Sequence, residues 1–255
     1  MKGLGGKRAI VTGAGGAIGR AIALELASHG AIVGVFDKNA ATAEETTALV
    51  VKDGGTARAY ACDISDYAKV VETVGAFERD VGPVDVLVNN AGWDRVANFV
   101  DTEPSFWDQL IAVNLKGPLN MHHAVVKGMI ARKAGRIVNI SSDAGRVGST
   151  GESVYAACKG GVIAFSKSLA REVAQANINV NVVCPGPTDT PLLQSFVGEG
   201  EHGKKVYEGL KRAIPWKRLG EPKDVCGIVA FLASDDAAFI TGQVISVSGG
   251  LTMHG

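Results

Sequence analysis

Cysteine is scarce. Cys62, Cys158, Cys184 and Cys226 are widely spaced and form no CxxC pair, which argues for buried, reduced thiols over a disulfide framework or a thiolate metal site. Net charge is absent too: Lys plus Arg and Asp plus Glu number 26 each. No global field therefore draws in nucleic acid or an anionic membrane, and no basic stripe marks a nucleic-acid footprint. No uninterrupted apolar run approaches the length of a membrane span, and residues 1–6 hold no apolar leader-like core. The expected location is cytoplasmic. His122 and His123 are neighbours on a helical pattern and so diverge, and His29, His202 and His254 have no ligand-like partner in sequence, so no metal is expected. No linker, repeat or low-complexity tract divides the chain.

What is present is an alternation. Short β-branched runs at 8–11, 31–36, 57–62, 84–88, 136–140, 178–183 and 244–247 read as strands. Between them lie helical patterns at 18–29 and 41–52, one capped by Ser65 with Asp66 near its positive end, one over 104–132 broken around Gly117-Pro118, and one over 153–176. Strands this apolar are covered on both faces, as in a parallel sheet. With 46% apolar residues, the 255-residue chain predicts one α/β domain over 1–255. This is a doubly wound Rossmann-type fold with a seven-stranded, mostly parallel sheet and helices on both faces. Residues 186–214 are Gly-rich, charged and weakly periodic, and are expected to form a mobile lid over a substrate.

Three features carry chemistry. Gly13-Ala14-Gly15-Gly16-Ala17-Ile18-Gly19 joins the first strand to the first helix, where glycines permit a tight turn and helix-terminal N–H groups can meet a pyrophosphate. Asp37 ends the second strand roughly twenty residues on, placed to accept hydrogen bonds from a ribose and to repel a 2′-phosphate, which favours NAD over NADP. Asp63-Ile64 and Asn90-Ala91-Gly92 follow the third and fourth strands, along the adenine and ribose trough. Finally, Tyr155 and Lys159 are one helical turn apart and share a face, with Ser142 upstream. An ammonium beside a phenol lowers its pKa from about 10, making Tyr155 a candidate acid/base. Taken singly, Ser142 could cap a strand end, Asn114 mark a helix kink, and Tyr155/Lys159 be a solvated pair.

Together these motifs resemble the short-chain dehydrogenase/reductase family, along nearly the whole chain from Thr12 to Ser248-Gly249-Gly250. The ordered set is the glycine turn, Asp37, Asn89-Asn90-Ala91-Gly92, Asn114, Ser142, Tyr155/Lys159 and Pro185-Gly186-Pro187-Thr188-Asp189-Thr190. One position departs: Ala17 stands where the family commonly has glycine. The resemblance implies that Tyr155 is the general acid/base and Lys159 its partner and a ribose donor. It further implies that Ser142 holds the substrate oxygen, Asn114 positions a water, and Pro185, Gly186, Thr188 and Thr190 meet the nicotinamide. It also implies a homotetramer built through the helices at 104–132 and 153–176.

For the substrate, Trp93-Asp94, Arg146-Val147, Glu152 and the stretch from Leu192 to Trp216 are expected to frame the site around Ser142 and Tyr155; Trp93, Val147, Leu192 and Phe196 suggest an apolar pocket, with core packing as the alternative for each. Lys204, Lys205, Lys211 and Arg212 could meet the phosphates of an acyl-CoA, or equally form a solvated helix face. The runs around Trp93-Asp94, His122-His123, Cys158 and Cys184 are similar to those of 2-hydroxycyclohexanecarboxyl-CoA dehydrogenases. The resemblance implies NAD-dependent oxidation of a secondary alcohol, a cyclic or β-hydroxyacyl-CoA. The rivals are a 3-oxoacyl-acyl-carrier-protein reductase, against which Asp37 argues, and a non-catalytic dinucleotide-binding scaffold, against which Tyr155 and Lys159 argue.

Overall fold

The computed structural model describes residues 1–197 and 200–253, with the side chains of Phe196 and His202 outside that description. Seven strands form one sheet: β1 (Arg8–Thr12), β2 (Ile32–Asp37), β3 (Thr56–Ala61), β4 (Val86–Asn89), β5 (Gly135–Ile140), β6 (Ile178–Pro185) and β7 (Val244–Val247). Their order is β3-β2-β1-β4-β5-β6-β7, and all six pairings are parallel. The order reverses between β1 and β4, so the cleft above their carboxyl ends is where a doubly wound sheet receives a ligand.

Period-2 alternation sorts the strands' side chains into two cores. Ala9, Val11, Val86, Val88, Val138 and Ile140 face one side, where they meet α1 (Ala17–Ser28), α2 (Ala40–Lys52) and α10 (Pro222–Ala233). Ile10, Leu87 and Ile137 face the other, against α3 (Tyr67–Asp80), α5 (Gly117–Arg132) and α7 (Ser153–Val173). All four cysteines are buried free thiols.

Local chemistry moves several boundaries. Asp66, rather than the expected Ser65, is the N-cap of α3, its carboxylate accepting from the Lys69 amide; Ser65 instead turns its hydroxyl to Asp63. The helix over 104–132 is not broken at Gly117-Pro118. It runs as α4 (Pro104–Ile111), a π-helical segment Ala112–Lys116 and α5, because the wider π turn absorbs an extra residue without ending the helix. The 186–214 segment is more ordered in pattern than its sequence suggested, with α8 (Pro191–Val197) and α9 (Gly200–Ala213). A short α6 (Ala144–Val147) follows β5 and packs on α7.

Candidate active site

The carboxyl ends of β1, β4, β5 and β6 converge on one cleft. At β1, α1 starts at Ala17 with Gly16 as its N-cap, and no side chain satisfies its first amides. The helix therefore offers free N–H groups at the positive end of its dipole, a fit for a pyrophosphate. Gly13 has φ +62, and a Cβ there would lie 2.7 Å from Ala91 Cα, so only glycine lets the turn lie against the loop after β4. A Cβ on Gly19 would run into the Gly13 carbonyl.

Gly15 ties the turn to the end of β2. Its N–H donates to Asp37 Oδ2 at 3.0 Å, while Asn39 N–H donates to Oδ1 at 2.9 Å. These bonds aim the carboxylate across the turn, and a carboxylate with about four acceptor sites still has room for a ribose. Asn90 likewise spends its side chain on the turn, donating to the Thr12 and Gly13 carbonyls at 3.0 and 3.2 Å. The Thr12 hydroxyl accepts from the Asn90 and Ala91 amides at 3.0 and 3.1 Å. Thr12 is thus a tether between β1 and β4 that the motif reading left without a role. Asp63 is held below the usual carboxylate range, chiefly by the Ser65 hydroxyl. Ile64 is buried, its carbonyl taken by Asn120 Nδ2 at 2.8 Å.

Ser142 lies just past β5, its Oγ accepting from the Ala144 amide at 3.1 Å. Tyr155, half-buried in the first turn of α7, has the Ser142 hydroxyl as a hydrogen-bonding neighbour. Lys159 is buried one turn on, and its Nζ donates to the Ile140 carbonyl at 3.1 Å while standing 5.5 Å from the Tyr155 ring centroid. Asn114, in the π segment and fully buried, accepts from the Trp93 amide at 3.1 Å and donates to the Trp93 carbonyl at 2.7 Å and the Leu110 carbonyl at 3.0 Å. A Cβ on Gly92 would meet Asn114 Oδ1 at 3.1 Å and Lys159 Nζ at 3.3 Å, so both polar groups close on that glycine.

The electrostatics correct one expectation. The Tyr155 phenol does not fall below its ordinary value: burial pushes it up, and Asp94 and Glu152 add to the rise, against a lowering by Ser142. Burial brings Lys159 itself down to about 8.

Beyond β6, Gly186 N–H donates to the Val247 carbonyl and the Pro185 carbonyl accepts from the Asp143 amide, each at 3.0 Å. Thr188 is buried, and Thr190 Oγ accepts from the Leu193 amide at 3.2 Å in the first turn of α8. Of the substrate candidates, Trp93 packs edge-on against Phe106 with centroids 5.9 Å apart. Glu152 lines a small pocket with Tyr155, and Val147 and Leu192 are exposed. Arg146 does not join that pocket. Its guanidinium donates to Ser246 Oγ at 2.9 Å and reaches the Val244 carbonyl, bracing β7 and lining a separate hollow with Lys167 and Arg171. The Phe196 side chain and His254 lie outside the described residues. In α9, Lys204 and Lys211 pair with Glu201 and Glu208, as a solvated face does.

One residue of the expected substrate frame is buried and charged. Asp94, 3% exposed, sits in the pocket beside Tyr155 with neither carboxylate oxygen hydrogen-bonded. Its position past a strand's carboxyl end was the available signal.

Comparison with known proteins extends this picture. The family model described as enoyl-(acyl carrier protein) reductase matches residues 13–252. An acetoacetyl-CoA reductase of Shinella zoogloeoides is 41% identical over 246 residues, 95% of this chain and 97% of that one. The 3-oxoacyl-(acyl-carrier-protein) reductase FabG of Thermotoga maritima is 39% identical over 254 residues, 98% of this chain and 99% of that one. Among solved structures, levodione reductase superposes with a TM-score of 0.93 at 30% identity, covering 96% of this chain and 97% of that one.

Proposed function

Since the chain belongs to the short-chain dehydrogenase/reductase family and is an oxidoreductase, we propose that it transfers hydride between NAD and a secondary alcohol or its ketone. The proposed substrate is a cyclic or β-hydroxyacyl-CoA of the 2-hydroxycyclohexanecarboxyl-CoA type. The observation that carries the reading is the convergence of Ser142, Tyr155, Lys159 and Asn114 beside the free N-terminus of α1 and Asp37.

When bound, the dinucleotide supplies the hydride acceptor or donor. The protein supplies the rest. The α1 amides, with Gly13, Gly16, Ala17, Ile18 and Gly19, hold the pyrophosphate. Asp37 takes the adenosine ribose, with Asp63, Ile64, Asn90, Ala91 and Gly92 along the trough, and Pro185, Gly186, Thr188 and Thr190 hold the nicotinamide end. Ser142 donates to the reacting oxygen, and Tyr155 removes the alcohol proton or returns it to the alkoxide. Lys159 sits close enough to assist that proton's exit past Asn114. Positioned proton transfer of this kind contributes about 10²–10⁴ in rate. The 186–214 segment closes over the acyl group, and assembly as a homotetramer through α4–α5 and α7 completes the reading.

A second reading has its own support. The relatives named above act, by their names, on acetoacetyl-CoA and on 3-oxoacyl chains of acyl carrier protein, so reduction of an acyclic 3-oxoacyl thioester is the alternative. Asp37 separates the two, because its charge opposes the 2′-phosphate of NADPH. Comparison of kcat/KM for NADH and NADPH is the test. A preference for NADH that narrows in Asp37→Asn is expected, and a clear NADPH preference in the wild type overturns the cofactor reading.

A further inference from the structure

A hollow of about 760 Å³ lies beside β7, the last strand of the sheet, and shares no residue with the pocket beside Tyr155. Three cations line it. Lys167 and Arg171 stand one turn apart on α7, on the face that also carries Ile163, Ala170 and Ala174. Arg146 comes from α6. A Cβ on Gly145 would lie 2.7 Å from the Lys159 carbonyl carbon, so glycine lets α6 rest against α7 and bring Arg146 to the same wall.

The three charges are treated unequally. Arg146 donates to Ser246 Oγ at 2.9 Å, and Ser246 donates in turn to the buried Asp143 carboxylate at 2.5 Å, which holds the guanidinium in place. Lys167 and Arg171 have no such answer. Among the described residues neither forms an ion pair or a hydrogen bond, and no residue lining the hollow is acidic. Like charges at i and i+4 repel on a helix, and the fold places a third cation beside them.

That arrangement suits a ligand that brings the missing negative charge. The volume falls in the range of small-molecule sites. Arginine and lysine together meet phosphate oxygens through charge-assisted hydrogen bonds, and the guanidinium fork matches phosphate geometry. Ile163, Ala170, Ala174 and Val244 add apolar wall, which fits an organic body carrying the phosphates. We infer that the hollow between α7 and β7 is a binding site for an organic polyphosphate, held by Lys167 and Arg171 beside Arg146. The site stands whether or not the acyl-thioester reading holds. Its phosphates have two sources, a free effector or the nucleotide end of a coenzyme A thioester.

The test is calorimetric titration of the enzyme with sodium tripolyphosphate, with NAD in excess so that the dinucleotide cleft does not compete. Lys167→Gln/Arg171→Gln should weaken binding at least about tenfold. The wild-type melting temperature should rise with tripolyphosphate and the variant's should not. Without ligand the variant should melt no lower than wild type, because glutamine keeps the helix and the repulsion is gone, so a folding failure does not pass as lost binding. Lys204→Gln/Lys205→Gln, which removes two charges from α9, should leave the affinity within about twofold. No binding to the wild type, the result expected if a second copy of the chain fills the hollow, overturns the inference. So does an equal loss in the two double variants, which marks unspecific attraction. Free coenzyme A then names the source: displacement of tripolyphosphate assigns the site to the thioester's nucleotide end, and no displacement assigns it to a free polyphosphate.

Discussion

Strand β4 has an aspartate near each end, and the protein treats the two in opposite ways. Before the strand, Asp85 accepts from the Arg8 amide, Nε and Nη2 at 3.0, 2.6 and 2.8 Å. Burial alone would raise this carboxyl, but the Arg8 hydrogen bonds and charge outweigh it and hold it below the usual range. After the strand, Asp94 is more deeply buried and has no arginine fork to match, and burial and then Glu152 raise it to about 7. At the amino ends of a parallel sheet, polar groups answer one another and hold the fold. At the carboxyl end of the same strand Asp94 carries the cost of burial without such an ion pair. A buried carboxyl is therefore informative in proportion to how well its counterpart is paired.

The sharpest way to widen that contrast is Tyr155→Phe. Removing one hydroxyl at the carboxyl end should cut kcat by about 10²–10⁴, roughly 3–5 kcal/mol of barrier. NAD binding should persist and the melting temperature should not fall, because the phenol's hydrogen-bonding neighbour is the Ser142 hydroxyl of the site itself. Steady-state kinetics with titration of NAD checks both halves, and a variant keeping a tenth of wild-type kcat would remove Tyr155 from its role.

The converse change is Arg8→Met at the amino end. It leaves Asp85 desolvated without its partner and should cost about 2–3 kcal/mol of stability at neutral pH. The activity should stay within about twofold, since Arg8 lies at the end of β1 remote from the glycine turn. The sign with pH follows from the lowered Asp85 value: the pair's contribution is present above the unfolded pKa of 3.8 and is lost as pH falls through the folded one. Urea midpoints at neutral and strongly acid pH should therefore converge for wild type and variant in acid. Equal destabilisation at both would show that packing, not charge, was lost.

The sheet was legible in advance because it depends on local pattern, whereas the Arg8–Asp85 pair, 77 residues apart in sequence, was not. Ala9, Ile10 and Val11 alternate between two cores, and seven such runs dictate a sheet covered on both sides. The glycine turn and Asp37 were legible too, since a turn and a strand end are close in sequence. What the sequence concealed is non-local. Arg146 is drawn to β7 by Ser246, one hundred residues away, and no local pattern signals that. The π segment that turns Asn114 onto Trp93 reads in sequence as a break at Gly117-Pro118, because one extra residue per turn leaves no compositional mark. The Lys159 effect on Tyr155 was expected from spacing alone, yet the balance is set by burial and by Asp94 and Glu152 from elsewhere in the chain.

Asp94→Asn gives the smallest and most discriminating effect. In the unfolded chain this carboxyl loses its proton near 3.8; in the folded protein it keeps it to about 7. Between those values the unfolded state gains ionisation that the folded state forgoes, so stability falls as pH rises, and above about 7 the penalty is constant. An amide of the same shape carries no such penalty. The variant should therefore be more stable than wild type by about 1–2 kcal/mol at about pH 8, with the gap closing towards about pH 4. Urea denaturation at the two pH values measures it. A stabilised Asp94→Asn beside a destabilised Arg8→Met would show that one strand holds its fold at one end and gives up stability at the other. If the variant instead loses stability at high pH, the buried carboxylate has a partner, and the contrast between the two ends of β4 fails.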